Sequence, residues 1–99
     1  MKVIKIDGHR LLDRQSMSIY MKEVLNLPAY FGKTLDALQD CLSEYQEDIY
    51  FVIDHKNGDI ICRNKYAYKW LMMVGKVSEE NPHLKVSFSE EYIGDENDK

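Results

Sequence analysis

The hydrophobic pattern changes its period several times along the chain, and this alternation is what most constrains the fold. Short segments rich in β-branched and aromatic residues, typical of strands, occur at residues 2–6, 49–53 and 86–88. Between them, apolar residues recur with helical spacing over about residues 14–26, 35–45 and 64–80. Strands separated by helices favour a parallel sheet with right-handed crossovers. The sequence therefore predicts an α/β fold with a parallel sheet.

Polar residues mark the ends of the predicted helices. Asp13 and Thr34 stand where N-caps are expected, and Pro28 ends the first helix because it disfavours a helical conformation at the residue before it. One segment is ambiguous. Asn57-Gly58 lies between two apolar stretches, which suggests an extra antiparallel hairpin around residues 52–62. An irregular loop or a short helical turn fits the same residues, and the motif does not decide among the three.

The size and composition of the chain limit its class. At 99 residues it is one domain, predicted over residues 1–90 and followed by an acidic, flexible tail at 91–99. No apolar run approaches the roughly 20 residues of a membrane span, and charges near the amino terminus do not fit a signal peptide. The two cysteines lack the spacing of a zinc site or disulfide framework, and the three histidines are scattered. We expect a cytoplasmic protein with no cofactor, no metal and no membrane association.

Acidic residues are concentrated on the second predicted helix. Between residues 34 and 54 the chain has six Asp or Glu residues and no Lys or Arg, a distribution that argues against nucleic-acid binding. A helical wheel separates an apolar face from a polar face that carries Asp36, Asp40, Ser43, Glu44 and Glu47. Like charges spaced i, i+4 destabilise a helix, so this face is either simply solvated or a binding surface for a cationic partner.

A family resemblance covers the same helix and the loop before it. Residues 27–42, LPAYFGKTLDALQDCL, resemble the signature of the barstar family, intracellular inhibitors of a secreted ribonuclease. The family pattern is Leu-Pro-x-aromatic-aromatic-Gly-x-Asn-Leu-Asp-Ala-Leu-x-Asp-Cys-Leu. The resemblance is clear over residues 1–54 and weak over 55–99. It implies a three-stranded parallel sheet packed by helices, and inhibition by occlusion of a nuclease active site.

The resemblance also implies which residues bind the partner. Asp40 matches the aspartate that takes the place of an RNA phosphate, and Asp36 and Tyr30 match other interface positions. The chain departs from the family at Gln39, where barstar has tryptophan, and at residues 43–45, where Ser-Glu-Tyr replaces Thr-Gly-Trp. The predicted binding set is Tyr30, Phe31, Asp36, Gln39, Asp40, Ser43 and Glu44.

These residues suggest a partner other than barnase itself. The expected partner is a basic extracellular ribonuclease or nuclease toxin domain of bacterial origin, bound 1:1 by a monomer. Two other hypotheses remain: a barstar-like binding module with a regulatory, non-nuclease partner, and a small hydrolase that uses Asp36 and Asp40 for acid–base chemistry. The hydrolase would need a concave pocket around the two carboxylates.

Overall fold

The computed structural model describes residues 1–28 and 33–89. In this part of the chain, three strands form one parallel sheet in the order β1-β2-β3. The strands are β1 (Lys2–Lys5), β2 (Ile49–Asp54) and β3 (Leu84–Ser89). The α/β fold with a three-stranded parallel sheet is therefore confirmed.

The register of the sheet separates a buried face from an exposed face. Ile4, Phe51 and Val86 lie side by side across the three strands, and Ile49 pairs with Leu84 on the same face. All of these side chains except the half-buried Val86 are buried. The opposite face is partly exposed to solvent. The helical layer therefore covers the face that carries the apolar residues of all three strands.

Four α-helices and one 3-10 turn accompany the sheet in the described residues. Each α-helix begins after an Asp, Thr or Asn whose side chain accepts a hydrogen bond from a backbone N–H of the first turn, as expected of an N-cap. Asp13 and Thr34 are the caps predicted from the sequence. The helices are α1 (Arg14–Leu25), α2 (Leu35–Ser43), α3 (His55–Cys62) and α4 (Lys65–Glu80), and the 3-10 turn is Gly8–Leu11.

The hairpin suggested for residues 52–62 is wrong, because this segment forms α3. Asp54 caps the helix by accepting a hydrogen bond from the backbone N–H of Asn57 at 2.8 Å. The Asn57 side chain also accepts a hydrogen bond from the Gly8 N–H at 2.7 Å. Gly58 is buried, and a β-carbon placed on it would lie 3.5 Å from the ring of Phe88. Neither Asn57 nor Gly58 has the positive φ that a type I′ hairpin turn requires.

The core is centred on α4 and the sheet. Trp70 is fully buried, and its ring lies 5.7 Å from that of Phe51 between centroids. Leu38 and Leu42 of α2 belong to the same cluster. None of the helices in residues 1–28 and 33–89 combines the length and hydropathy of a membrane span. The prediction of a single domain ending at residue 90 stays a prediction, and the tail at 91–99 lies outside the described residues.

Candidate functional site

Helix α2 serves both as a core element and as a surface. Its inward residues Leu38 and Leu42 are fully buried, and Leu35 and Tyr45 are half-buried beside them. The i, i+4 spacing of Leu38 and Leu42 places them on one face of the helix. Burial of this face fixes the rotation of the helix and directs the opposite face to solvent.

The opposite face presents three carboxylates in a row. Asp36, Asp40 and Glu44 are exposed, and each is four residues from the next. With the described residues, their side chains accept no hydrogen bond and form no ion pair. We call Asp36, Asp40 and Glu44 the acidic row. Its charges are therefore not neutralised by this part of the chain.

Several of the other carboxylates in the described residues have a partner, whereas the exposed Glu47, Glu79 and Glu80 form no hydrogen bond or ion pair with those residues, like the acidic row. Glu23 pairs with Arg10 at 3.2 Å, Asp59 with Arg63 at 3.1 Å, and Asp48 contacts the His83 ring at 2.9 Å. Several acids of the chain therefore lie within ion-pair distance of a cation, and the three carboxylates of the acidic row do not. The row is left available to a cationic partner.

The remaining predicted site residues divide into two groups. Ser43 is exposed, and Gln39 is half-buried on the same helix. Tyr30 and Phe31 lie outside the described residues. The described chain resumes at Lys33, which has a left-handed φ of 66°. A non-glycine residue in this region carries backbone strain, and such strain is frequent at functional sites.

The electrostatic field of the acidic row extends to its neighbour Cys41. Partial burial raises the pKa of the Cys41 thiol above its ordinary value, and the nearby charges of Asp40 and Glu44 raise it further. The thiol therefore stays protonated at neutral pH. A reactive thiolate would need the opposite surroundings, with a nearby cation. Cys41 is thus an unreactive, half-buried residue of α2, while Cys62 is exposed.

A groove adjoins the acidic row between the C-terminal ends of α1 and α2. Apolar and sulfur-bearing side chains form much of its lining, and the Tyr45 hydroxyl donates a hydrogen bond to the Leu25 carbonyl at 3.2 Å across it. Glu44 and Glu47 lie at its rim, and Lys2 contributes the one cation of the lining among the described residues. The lining comprises Lys2, Leu25, Asn26, Leu27, Pro28, Cys41, Glu44, Tyr45, Gln46 and Glu47. The sequence reading missed this groove, since no pattern within one helix indicates how two helix ends meet.

The geometry gives little support to a hydrolase. Asp36 and Asp40 are exposed on a helix surface, whereas carboxylates that share a proton require a concave and partly desolvated site. Among residues 1–28 and 33–89, no three His, Cys, Asp or Glu side chains come together as a metal site requires. The arrangement is suited to non-covalent recognition of positive charge.

Comparison with known protein families gives one match. A family model described as barstar (barnase inhibitor) matches residues 1–85, which is most of the chain and includes the whole acidic row. A comparison with individual curated proteins returns no match. The signature residues 27–42, strands β1 and β2 and the exposed acidic helix all fall within the matched region, and the chain belongs to the barstar family.

Proposed function

We propose that this protein inhibits a basic ribonuclease or nuclease toxin by inserting the acidic row of α2 into its active site. Membership of the barstar family supports a ribonuclease-inhibitor role in general and fits a protein that is not an enzyme. The observation that carries the specific proposal is the exposure of Asp36, Asp40 and Glu44 without a cation from the described chain.

The energetics of the helix support this function. Asp36/Asp40 and Asp40/Glu44 are like-charge i, i+4 pairs, each of which destabilises a helix by a few tenths of a kcal/mol. Asp40 and Glu44 also lie toward the C-terminal end of α2, where the helix dipole disfavours negative charge. A free protein gains nothing from this arrangement. A complex gains charge-assisted hydrogen bonds when a partner supplies Arg, Lys or His to the row.

The mechanism we propose is mimicry of a polyanion. A ribonuclease binds RNA phosphates and therefore concentrates cationic side chains in its cleft. Asp40, near the middle of the row, takes the place of a phosphate, while Asp36 and Glu44 extend the negative charge along the cleft. Gln39 and Ser43 flank Asp40 as neutral hydrogen-bonding groups. No bond is made or broken, and inhibition results from occlusion of the active site.

The groove beside the row suits one further contact. A guanidinium group at the rim would meet Glu44 and Glu47, and its aliphatic stem would lie against Leu27 and Tyr45. Arginine combines these properties better than lysine, because its planar charge is weakly hydrated and stacks on aromatic rings. We therefore propose that the partner places an arginine beside its catalytic cleft.

The test is inhibition of RNA cleavage by a panel of purified basic bacterial ribonucleases and nuclease toxin domains. We expect stoichiometric 1:1 inhibition of at least one enzyme, with an association rate that falls as salt increases. The Asp40→Asn variant should inhibit far less. The matched control is Asp59→Asn, which removes the same charge from α3 and should leave inhibition intact.

Two outcomes would contradict the proposal. Equal inhibition by Asp40→Asn and the wild type would exclude the acidic row as the contact surface. Tight binding of a partner without loss of nuclease activity would favour the other hypothesis, a barstar-like module with a regulatory partner.

A further inference from the structure

Helix α2 ends without the local features that usually stabilise a helix C-terminus. Its C-cap residue Glu44 has φ −103° and ψ 3°, which is not the left-handed conformation of a glycine-type cap. Its last turn contains no basic residue. Negative charge at Asp40 and Glu44 makes the end of the helix less favourable still. Backbone hydrogen bonds close part of this turn, because the Leu42 carbonyl accepts from the Tyr45 N–H at 3.2 Å. A side chain from another element adds to them.

The additional donor comes from a residue that is distant in the sequence. Asn81, the C-cap of α4, is only 7% exposed. Its side-chain amide nitrogen donates to the Leu42 carbonyl at 2.8 Å and to the Tyr45 carbonyl at 3.1 Å, and lies 3.5 Å from the carbonyl of Ser43. One uncharged amide therefore adds to the backbone donor of the Leu42 carbonyl and ties the turn at the end of α2 to α4.

The orientation of this amide is itself fixed. The Asn81 side-chain oxygen accepts a hydrogen bond from the His83 N–H at 3.0 Å, and the Asn81 N–H donates to the Val77 carbonyl at 2.8 Å. The His83 carbonyl in turn accepts from the N–H of Ile49 at 2.8 Å, which ties the loop to the start of β2. The amide is thus held by α4 and the sheet, and it holds α2.

We propose that Asn81 is a positioning residue for the acidic row: it fixes the C-terminal turn of α2 with a neutral donor, where a cation would have neutralised the binding surface. A Lys or Arg in the last turn of α2 would stabilise the same carbonyls. It would also lie within reach of Asp40 and Glu44 and compete with the cations of a partner. A neutral amide from a distant element stabilises the turn and leaves the charges available.

The first test needs no partner. Backbone hydrogen exchange is measured on wild type, Asn81→Ala and the control Asn64→Ala, which removes an amide that caps the other end of α4 through Ala67. We expect exchange at residues 41–45 to accelerate about tenfold or more relative to the rest of the core in Asn81→Ala only, the change that loss of such hydrogen bonds produces. Equal acceleration across the whole domain would refute the local role.

The second test rests on the proposed function and measures the complex. Asn81→Ala does not change the charge of the protein, so the salt dependence of its association rate should match wild type. Its dissociation rate should rise about tenfold, since a mobile turn must be ordered in the complex. Asp13→Ala, which removes the N-cap of α1, serves as the control for general destabilisation and should dissociate like wild type.

The outcomes separate the two proposals. If the dissociation rates of Asn81→Ala and Asp13→Ala are the same, Asn81 is merely structural and the positioning role is wrong. If no nuclease is inhibited, the proposed function fails, while the exchange experiment still tests whether Asn81 fixes the C-terminal turn of α2. Should Asn81→Ala not fold, Asn81→Ser, which retains one shorter donor, is measured against the same criteria.

Discussion

Replacement of Asp40 by alanine should stabilise the protein and weaken its complex. The Asp40 carboxylate is exposed and has no hydrogen bond or ion pair with the described residues, so the free protein loses no interaction. The substitution removes two like-charge i, i+4 repulsions, each about 0.2–0.5 kcal/mol. It also gains about 0.5 kcal/mol from the higher helix propensity of alanine. We expect the free energy of unfolding to rise by about 1 kcal/mol.

The effect on binding should have the opposite sign and be larger. Truncating one side of a buried charge pair typically costs about 2–5 kcal/mol of binding free energy, a range to which barnase–barstar complexes themselves contributed. This corresponds to about 30-fold to several-thousand-fold weaker inhibition. Thermal unfolding gives the stability change, expected as an increase in Tm of about 4–8 °C for a domain of this size. Inhibition of RNA cleavage gives the change in affinity.

The matched control is the replacement of another aspartate, the N-cap of α1, by alanine. Asp13 accepts a hydrogen bond from the Ser16 N–H at 2.8 Å as an N-cap, so Asp13→Ala should lower stability by about 1 kcal/mol and leave affinity unchanged. The two substitutions should thus change stability in opposite directions, and only Asp40→Ala should change affinity. A loss of stability in Asp40→Ala with retained inhibition would show that Asp40 is structural, and the reasoning from the acidic row would be wrong.

Three further substitutions test the stability of the protein. Gly75→Ala should raise the free energy of unfolding by about 0.5–1 kcal/mol, because Gly75 is in the middle of α4 and an added β-carbon meets nothing within 4 Å. Gly8→Ala should lower the free energy of unfolding by about 1–3 kcal/mol, because the added β-carbon would lie 3.0 Å from the Asn57 carbonyl oxygen. Urea unfolding measures both variants, and a loss of stability in both would contradict the reasoning. The hydrogen bond with His83 holds the pKa of Asp48 in the folded protein below its ordinary 3.8. The ionised Asp48 therefore stabilises the folded state above pH 3.8, and this stabilisation is lost as the pH falls through the lower folded-state pKa. The Tm difference between wild type and Asp48→Asn should therefore shrink below about pH 4, and a difference independent of pH would exclude this linkage.

The sequence predicted the helices and strands well where local signals agree with tertiary packing. In α1 and α2 the apolar period and the N-caps Asp13 and Thr34 point to the same starts, and the structure adopts them, while α2 ends at Ser43, two residues before the predicted end. Asn57-Gly58 is different, because its turn and helix preferences compete. Gly8 and Phe88, both far away in the sequence, contact this segment in the helical form, and no local pattern contains that information.

The same distinction between local and distant determinants applies to the candidate site. The acidic row follows from the helical period alone, since burial of Leu38 and Leu42 directs the other face outward. The groove and the hydrogen bonds of the Asn81 amide could not be predicted, because each is formed by residues that are distant in sequence. Asn81 and Leu42, for example, are separated by 39 residues. Periodicity identifies which residues face solvent, but not which distant group satisfies a particular carbonyl.

The departures from the family signature change how binding energy should be distributed in this protein. Gln39 and Glu44 replace a tryptophan and a glycine of the barstar pattern, so α2 has less aromatic area and one more charge than the signature provides. Aromatic contacts act mainly through short-range burial, whereas charges act over longer distances and are screened by salt. An interface built on Asp36, Asp40 and Glu44 should therefore depend more on electrostatic steering and on the accurate placement of its helix. Under this proposal, the neutral amide of Asn81 would fix the C-terminal turn of α2 and keep the row in place without neutralising it.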